Sequence, residues 1–469
     1  MKTIALHNLG CKVNSYEFDV MQQNLAESGF TIVPFDQKAD IYLVNTCSVT
    51  NIADRKSRQM LHRARKRNPE AIVVAVGCYV QTGRETLKQD PDVDLAVGNN
   101  RKRDIVEILN RYMAERECVR ESGYYAEDVV DMDHTCEYEE MQLRKTAEHT
   151  RAYIKIQDGC NQFCSYCIIP YARGRVRSRK PEDVVAEVRA LAEAGYREIV
   201  VTGIHISSYG VDFEQPGINV GDYMANSGRL PELLLALDAV EGVSRIRISS
   251  LEPRIVTEKF TEQLRQMRKL CPHFHLSLQS GCDATLQRMN RHYTTADYAR
   301  CVELLRTAFP KCAVTTDVIV GFPGETEEEF ACTRAYLEKQ NLYEMHVFKY
   351  SKRRGTVAAA MPNQLTEAQK GARSDVLLAM TERQSVEFRR RFIGEEVEIL
   401  LEERKEIDGV WYRTGYSREY VPVAVREEEI ATLADQWDDA DNTRGRIVRG
   451  VGSELLADKG ILFCEKIKL

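Results

Sequence analysis

The hydrophobic pattern of residues 1–117 alternates two textures. Short continuous apolar runs fall at 3–6, 31–34, 41–44, 72–76 and 95–97, and stretches of helical period fall at 17–28, 52–67, 83–89 and 102–115. Runs this short and this apolar are strands covered on both faces. Strands alternating with amphipathic helices predict an α/β unit with a doubly wound parallel sheet. Residues 118–149 are rich in Glu and Asp and carry no period, which reads as a connector. The alternation then resumes on a larger scale, with strands at 153–157, 198–202, 245–249, 273–278, 313–320 and 343–348. Helical patterns fill the gaps at 181–194, 231–239, 257–269, 295–308 and 325–339. Six βα units are fewer than a closed barrel needs, so a partial six-stranded (β/α) barrel is predicted. A long amphipathic helix at 367–392 leads into a different texture. There 397–401, 411–416, 421–425, 446–450 and 461–467 read as short strands around Gly and Asp turns, a small all-β barrel. The expected units are 1–117, a connector 118–145, the barrel unit 146–375 and the C-terminal unit 376–469.

Composition narrows the class. The 469 residues are 43% hydrophobic and 29% charged, which excludes a mostly disordered chain. A net charge of −6 excludes a wholly cationic nucleic-acid coat, though not a local basic patch. No apolar run reaches the roughly 18 residues of a membrane span, and the polar start is no signal peptide, so a cytoplasmic protein without membrane contact is expected. The 14 cysteines, in a reducing compartment, then point to metal ligands rather than disulfides.

The sharpest motif is Cys160-Asn-Gln-Phe-Cys164-Ser-Tyr-Cys167, directly after the first barrel strand. Three thiolates so spaced suit three corners of a cubane iron–sulfur cluster and leave one iron open. Structural zinc normally takes four protein ligands, and no fourth follows nearby, since His149 precedes the strand. Cys-x3-Cys-x2-Cys at this place resembles the radical S-adenosylmethionine (SAM) enzymes. The resemblance implies a [4Fe-4S] cluster whose open iron chelates SAM and, once reduced, cleaves it to a 5′-deoxyadenosyl radical. Polar residues at later strand ends would hold SAM: Thr202, Gly203, Ser249, Ser250, Gln279, Ser280 and Asp317. Each also reads as an ordinary strand-end turn residue. The segment Gly321-Phe-Pro-Gly-Glu-Thr326 is a tight turn opening a helix.

A second set is spread along the chain. Cys11, Cys47 and Cys78 each follow a predicted strand of the first unit, in Gly10-Cys11, Thr46-Cys47 and Gly77-Cys78. Ligands of open α/β sheets bind beyond the carboxyl ends of the strands, so these thiols can converge; otherwise they are small residues filling βα turns. Two three-cysteine sets followed by a small β-barrel resemble the methylthiotransferases over essentially the whole chain. That resemblance implies a second [4Fe-4S] cluster, on Cys11, Cys47 and Cys78, that carries the sulfur to be inserted. One SAM would methylate that sulfur and another would supply the radical. The other cysteines, 118, 136, 271, 282, 301, 312, 332 and 464, show no comparable spacing and are read as packing thiols.

The family divides by substrate. The strings Lys12-Val13-Asn14-Ser15-Tyr16-Glu17 and Ser48-Val49-Thr50-Asn51 resemble the branch acting on tRNA threonylcarbamoyladenosine at position 37, beside the anticodon. The isopentenyladenosine branch, the branch modifying an aspartate of a small-subunit ribosomal protein, and a noncatalytic metal-containing RNA-binding protein are the alternatives. Residues 51–70 hold seven basic side chains, Arg55, Lys56, Arg58, Arg63, Arg65, Lys66 and Arg67, against two acids. Residues 171–180 hold Arg173, Arg175, Arg177, Arg179 and Lys180 with no acid. Both runs follow cluster cysteines, and a phosphate backbone tracking Arg55, Lys56, Arg63, Arg65, Lys66, Arg67, Arg173, Arg175 and Arg177 would bring a base to the clusters. Against this, residues 391–469 carry 12 basic and 18 acidic side chains, a charge suited to a protein partner as well. The resemblance further implies an electron donor such as flavodoxin or ferredoxin and a sulfur source.

Overall fold

The computed structural model describes every residue except 1, 123–125, 146–149, 215–217, 227, 435–442 and 457–459, with backbone alone at 117–122 and 434. Its first unit is a six-stranded sheet of β1 (Thr3–Asn8), β2 (Thr31–Val33), β3 (Ile41–Thr46), β4 (Ile72–Gly77), β5 (Leu95–Val97) and β6 (Ala126–Asp128), in the order β2-β1-β3-β4-β5-β6. All of its pairs are parallel. The continuous apolar runs are explained by burial on both faces: Ile4, Ile41, Leu43 and Val74 point into one core, Tyr42, Val44, Val73 and Ala75 into another. Two details differ from the sequence reading. The stretch taken as a connector supplies the edge strand β6, and its Met141 and Leu143 are buried in the main core. The first helix starts at Lys12, because Cys11 is its extended N-cap and Val13, Asn14 and Tyr16 are buried in its first turns.

The second unit holds β7 (Ala152–Asp158), β8 (Arg177–Ser178), β9 (Glu198–Gly203), β10 (Arg245–Ile248), β11 (His273–His275), β12 (Ala313–Val320) and β13 (Glu344–Lys349). They form two sheets, β10-β9-β7-β8 and β11-β12-β13. Parallel bridges Ile246↔Leu270 and Leu251↔Leu276 join them into one curved wall. Among the described residues β13 does not pair back to β7, so the six parallel strands make an open, partial barrel, and only the short β8 runs antiparallel. One continuous core joins this wall to the first sheet.

The helix Glu367–Arg390, opened by a Thr366–Gln369 capping box, leads to the third unit. There β14 (Glu396–Ile407), β15 (Val410–Ser417), β16 (Pro422–Arg426), β17 (Ile447–Leu456) and β18 (Ile461–Lys468) close into a barrel in the order β14-β15-β16-β18-β17. Phe388 and Phe392 pack into its core with Val397, Ile399 and Leu401. Arginines of β10 tie it to the partial barrel. Arg245 donates to the Glu398 carboxylate (2.8 Å) and to the carbonyls of Glu398 (2.7 Å) and Tyr416 (3.0 Å), and Arg247 donates to the Arg418 carbonyl (3.0 Å). No helix among the described residues is long and apolar enough to cross a membrane.

Candidate cluster sites and the space between them

Cys11 caps the helix Lys12–Glu27 after β1, Cys47 follows β3, and Cys78 opens the short helix Cys78–Thr82 after β4. The strand order reverses between β1 and β3, which is where open α/β sheets bind ligands. The loops touch there. A Cβ built on Gly10, whose φ is +115°, would lie 3.1 Å from Cβ of Cys47 and 2.8 Å from Nδ2 of Asn14, so only glycine fits. Asn14 ties the two loops together, its amide donating to the carbonyls of Leu9 (2.7 Å) and Thr46 (2.9 Å). Cys47 and Cys78 are buried, whereas Cys11 is exposed. Desolvation raises the Cys11 thiol and pushes the Cys47 thiol up to about 12, with the neighbouring Cys78 and Cys11 adding to the shift at Cys47. Thiols held neutral in this way ionise when a positive metal centre takes the charge, as the donors of a cluster must.

The second set lies in the loop after β7. Gly159, at φ +72°, packs so closely that a Cβ would meet the Arg175 carbonyl oxygen at 1.8 Å. The Cys160 amide donates to Gly174 (3.0 Å) and the Cys167 amide to Cys164 (2.9 Å), which fixes the loop. Burial pushes the Cys160 thiol up to about 12 and raises Cys167 as well. Arg291 donates to the Cys164 sulfur at 3.1 Å, the kind of contact that tunes a cluster thiolate. Phe163 stacks edge-on to Tyr171, and Tyr166 to Phe322, limiting water around the thiols. Three sulfurs on one zinc ion would sit within about 4 Å of one another, given ~2.3 Å bonds. Among the described residues, neither cysteine set is one of the triads whose donor atoms all lie within 4.8 Å.

Arg173, at the end of the short helix that follows Cys167, reaches across to Cys78 of the first set. It is buried and donates through Nε to the Cys78 sulfur (3.3 Å), through Nη1 to Glu17 (2.9 Å) and Asp158 (3.1 Å), and through Nη2 to Asn14 (2.7 Å) and Glu17 (3.0 Å). Lys155 reaches Glu17 (3.0 Å) and Asp158 (3.3 Å), and Lys102 also pairs with Glu17. These cations hold the Glu17 carboxyl well below its usual range and lower that of Asp158 against the opposing effect of burial. On the other side Arg353 clasps the loop after Cys47, donating to Ser48 (2.9 Å), Asn51 (2.7 Å) and Asp54 (2.6 Å).

This network corrects three expected RNA contacts. Arg173 is enclosed as described, and Arg177 is equally buried, donating to the carbonyls of Arg173 (2.9 Å) and Arg175 (3.0 Å). Arg65 is partly buried and bonds Asp94 at 2.5 Å. None of the three presents its charge to a passing phosphate. Arg55, Lys56, Arg63, Lys66 and Arg175 are exposed, and Arg67 is half-buried. The helix Asn51–Arg67 buries Ser57, Leu61 and Ala64 along one stripe, which leaves most of its cations outside.

The expected SAM residues divide as well. Thr202 and Ser249 are buried at the ends of β9 and β10, and Ser250 is exposed. A Cβ on Gly203 would lie 2.9 Å from the Gln157 carbonyl, so this turn requires glycine. Gln279 adopts φ +74° and its amide donates to Asp317 O (2.9 Å). Ser280 is a correction. It is fully buried, with its hydroxyl held between Thr333 (3.2 Å) and the Cys282 amide (3.3 Å), a packing role rather than a lining one. Asp317 lies deeper along its strand, 3.3 Å from Nε2 of His275. Sequence reasoning missed Glu17, Lys102, Lys155, Asp158, Arg291 and Arg353, since scattered charges carry no spacing signal until the fold assembles them. Cys118 has no described side chain, and His149 lies outside the described residues.

Two family models match: "Radical SAM superfamily" over residues 154–337 and "Uncharacterized protein family UPF0004" over 3–98. A threonylcarbamoyladenosine tRNA methylthiotransferase, MtaB, of Bacillus subtilis is 41% identical over 92% of this chain and 91% of its own length. The MtaB of Aquifex aeolicus is 36% identical over 86% of this chain and 94% of its own. The chain belongs to the radical SAM methylthiotransferases. A tRNA-2-methylthio-N(6)-dimethylallyladenosine synthase of Thermoanaerobacter is 32% identical over 85% of this chain and 81% of its own length. The radical SAM methyltransferase TsrM of Kitasatospora setae, solved with tryptophan and a SAM analogue, shares the fold at TM-score 0.51 and 16% identity, over 74% of this chain and 73% of that one. As a radical SAM methylthiotransferase, the protein uses SAM and a [4Fe-4S] cluster.

Proposed function

We propose that this methylthiotransferase replaces the hydrogen on carbon 2 of threonylcarbamoyladenosine at tRNA position 37 with a methylthio group, in the cytoplasm. Cys160, Cys164 and Cys167 would hold the cluster that supplies SAM-derived radicals, and Cys11, Cys47 and Cys78 a second [4Fe-4S] cluster that supplies sulfur. The observation that carries this reading is Arg173. From the short helix Ile169–Arg173, just after Cys167, it reaches the Cys78 sulfur at 3.3 Å, so the segment that follows one thiol set is tied to the other, and the two would face a common cleft. An adenine splayed from its stack into that cleft would lie between radical source and sulfur source. Thr202, Gly203, Ser249, Ser250 and Gln279 would line the SAM side. Arg55, Lys56, Arg63, Lys66 and Arg175 would meet flanking phosphates. Flavodoxin or ferredoxin would supply electrons, and a sulfide source would replenish the second cluster. The branch assignment rests on the MtaB relatives and on the Lys12–Glu17 string.

The test is direct. Reconstituted protein should bind about eight iron atoms per chain. Given SAM, reductant and sulfide, it should methylthiolate an anticodon stem-loop bearing threonylcarbamoyladenosine. The isopentenyladenosine loop and small-subunit ribosomal protein should react far more slowly. Faster modification of either would overturn the branch, and failure to take up more than one cluster would overturn the two-cluster reading.

A further inference from the structure

Phe163 has no part so far beyond limiting water at the thiols, yet its backbone is strained. It sits directly before Cys164 at φ +47°, in the left-handed region that bulky side chains rarely enter. Its carbonyl accepts from the Asn290 amide at 3.0 Å, and the Ser165 amide donates to the Met289 carbonyl at 3.0 Å, which pins the chain on both sides of Cys164. Strain of this kind persists at sites where the surroundings fix a side chain in one place.

That place is the centre of a small exposed assembly. Arg175 lays its guanidinium over the Phe163 ring at 4.4 Å, and Tyr171 meets the ring edge-on at 6.0 Å. Both outer members are held from behind. The Val176 amide donates to Asn161 at 3.1 Å, and the Cys160 amide to the Gly174 carbonyl at 3.0 Å, so Arg175 cannot drift from the cysteine loop. The helix Ile169–Arg173 buries Pro170, Ala172 and Arg173 and leaves Tyr171 46% exposed. Arg175 is exposed as well, and among the described residues its charge has no carboxylate partner. Single exposed apolar residues are ordinary, but here a strained backbone supports a ring and a cation side by side.

The assembly also lies close to both thiol sets. Phe163 adjoins Cys164, and Ala172, next to Tyr171, shares a donor with Cys78: the Asn99 amide donates to the Ala172 carbonyl (2.7 Å) and to the Cys78 sulfur (3.6 Å). A protein electron donor needs access to the SAM-cleaving set alone. A substrate that takes a radical from one set and sulfur from the other must reach both, so the position favours the substrate. An exposed ring beside a cation suits single-stranded nucleic acid, the ring taking the face of a base and the cation a phosphate. Splaying one base from its stack uncovers the faces of its neighbours. Resting on the functional reading above, we infer that Tyr171 stacks on a base adjoining the modified adenosine and Arg175 meets the phosphate beside it, with Phe163 holding the two in place. The contact accepts any base, because every base has a π-face, and it compensates the stacking lost when the target is splayed.

The experiment measures binding of reconstituted enzyme to anticodon stem-loops bearing threonylcarbamoyladenosine, intact or with an abasic nucleotide immediately 5′ or immediately 3′ of it. For one of the two, wild type should bind the abasic loop about tenfold more weakly than the intact one. Tyr171→Ala should weaken the intact loop by a similar factor and make the two loops equal, while Tyr171→Phe should keep most of the difference. Tyr171→Ala should leave the log–log salt slope unchanged, whereas Arg175→Gln should lower it by about one unit, a split that a packing role does not produce. Iron content, and SAM cleavage with dithionite as reductant, detect a lost cluster in either variant. The comparison on wild type needs no variant, so a damaged variant leaves the question answerable. Equal binding of the intact and both abasic loops by wild type, or an undiminished abasic effect in iron-replete Tyr171→Ala, would overturn the inference. Unchanged RNA affinity in Tyr171→Ala with slower cluster reduction by flavodoxin would make this a docking face for the electron donor and overturn it too. If wild type binds the loops as expected but does not methylthiolate the intact one, the functional reading fails and the stacking contact stands.

Discussion

Replacing Arg173 by Met removes the side chain that ties the segment after Cys167 to the Cys78 sulfur. All of its bonding capacity is in use: Glu17 twice, Asp158, Asn14 and the Cys78 sulfur. Breaking a buried ion pair by deleting one partner costs about 3–5 kcal/mol, because the remaining charge stays buried. Here Glu17 keeps Lys102 and Lys155, and Asp158 keeps Lys155, so the low end applies. The first two units share one core, and a per-residue unfolding entropy of about 2.1 cal/mol/K over a body of that size converts about 3 kcal/mol into a Tm drop of roughly 3–4 °C. Arg173→Lys restores charge but offers three donors in place of five and should fall between. The assay is thermal unfolding at one fixed scan rate, on reconstituted and metal-free protein, with iron content and tRNA binding measured in parallel. A Tm within about 1 °C of wild type, accompanied by weaker tRNA binding, would refute the reasoning and return Arg173 to the protein surface as a phosphate contact.

Other expectations follow from single sites. Gly159→Ala should cost the Cys160–Cys164–Cys167 site its cluster, halving iron and abolishing SAM cleavage, since its Cβ would overlap the Arg175 carbonyl at 1.8 Å; full iron content would contradict the packing. His205 is half-buried, with desolvation first and Arg291 and Arg254 second lowering its pKa to about 3. Below pH 6.5 the unfolded chain then binds a proton that the folded one refuses, so stability declines as pH falls from 6.5 toward 3, by up to ~1.4 kcal/mol per pH unit. His205→Gln should flatten that slope in denaturant titrations at pH 6.5, 5.5 and 4.5, and an unchanged slope would exonerate this residue. Charge reversal at Arg63 and Lys66, both exposed, should remove about one unit of log–log salt slope of tRNA binding per lost contact. An unaltered slope would leave the helix Asn51–Arg67 a solvated surface.

Periodicity located the architecture because burial on both faces leaves a simple trace. Strands β1 to β5 of the first sheet, the six parallel strands of the second unit and the five of the C-terminal barrel coincide with apolar runs bounded by turn residues. The edge strand β6 was missed since Ala126-Glu127-Asp128 has no apolar run; it is held by backbone pairing to β5 alone. The cysteines 160, 164 and 167 stand out in the sequence because they share one loop. The spread set was legible only through the rule that βα turns converge on the carboxyl edge of a sheet. What the sequence could not convey is which arginines turn inward. Arg173 and Arg175 sit in one basic run, yet the first is sealed among Glu17, Asp158 and Asn14 while the second lies over the Phe163 ring at 4.4 Å and stays exposed. A count of charges in a window treats both alike.

The same reasoning bears on the acidic C-terminal unit, whose net charge suits a protein partner as well as tRNA. Many of its carboxylates are engaged within the fold: Glu398 with Arg245, Glu402 with Arg151, Glu427 with Arg404, Glu396 with Lys468, and Glu395 with Lys311. Glu398 and Glu402 bind arginines of the second unit, so part of the acidity is a seam between units rather than a face toward solvent. Basic groups of the same unit gather elsewhere: Arg404, Arg413 and Arg444 line a pocket of about 390 Å³ together with Arg151, Glu402 and Glu403. The segment 435–442, where four further acids lie, is outside the described residues. Net charge measures the sum over a unit, whereas a polyanion responds to the charge facing it, and paired carboxylates contribute little there. The acidic sum is therefore compatible with RNA docking along the helix Asn51–Arg67 on the opposite, N-terminal unit. Substituting Gln for Glu398 and Glu402 should accordingly lower Tm by loosening the seam while shifting tRNA affinity less than the Arg63 and Lys66 reversals do. A large gain in tRNA affinity with Tm unchanged would mean that these acids face the RNA after all.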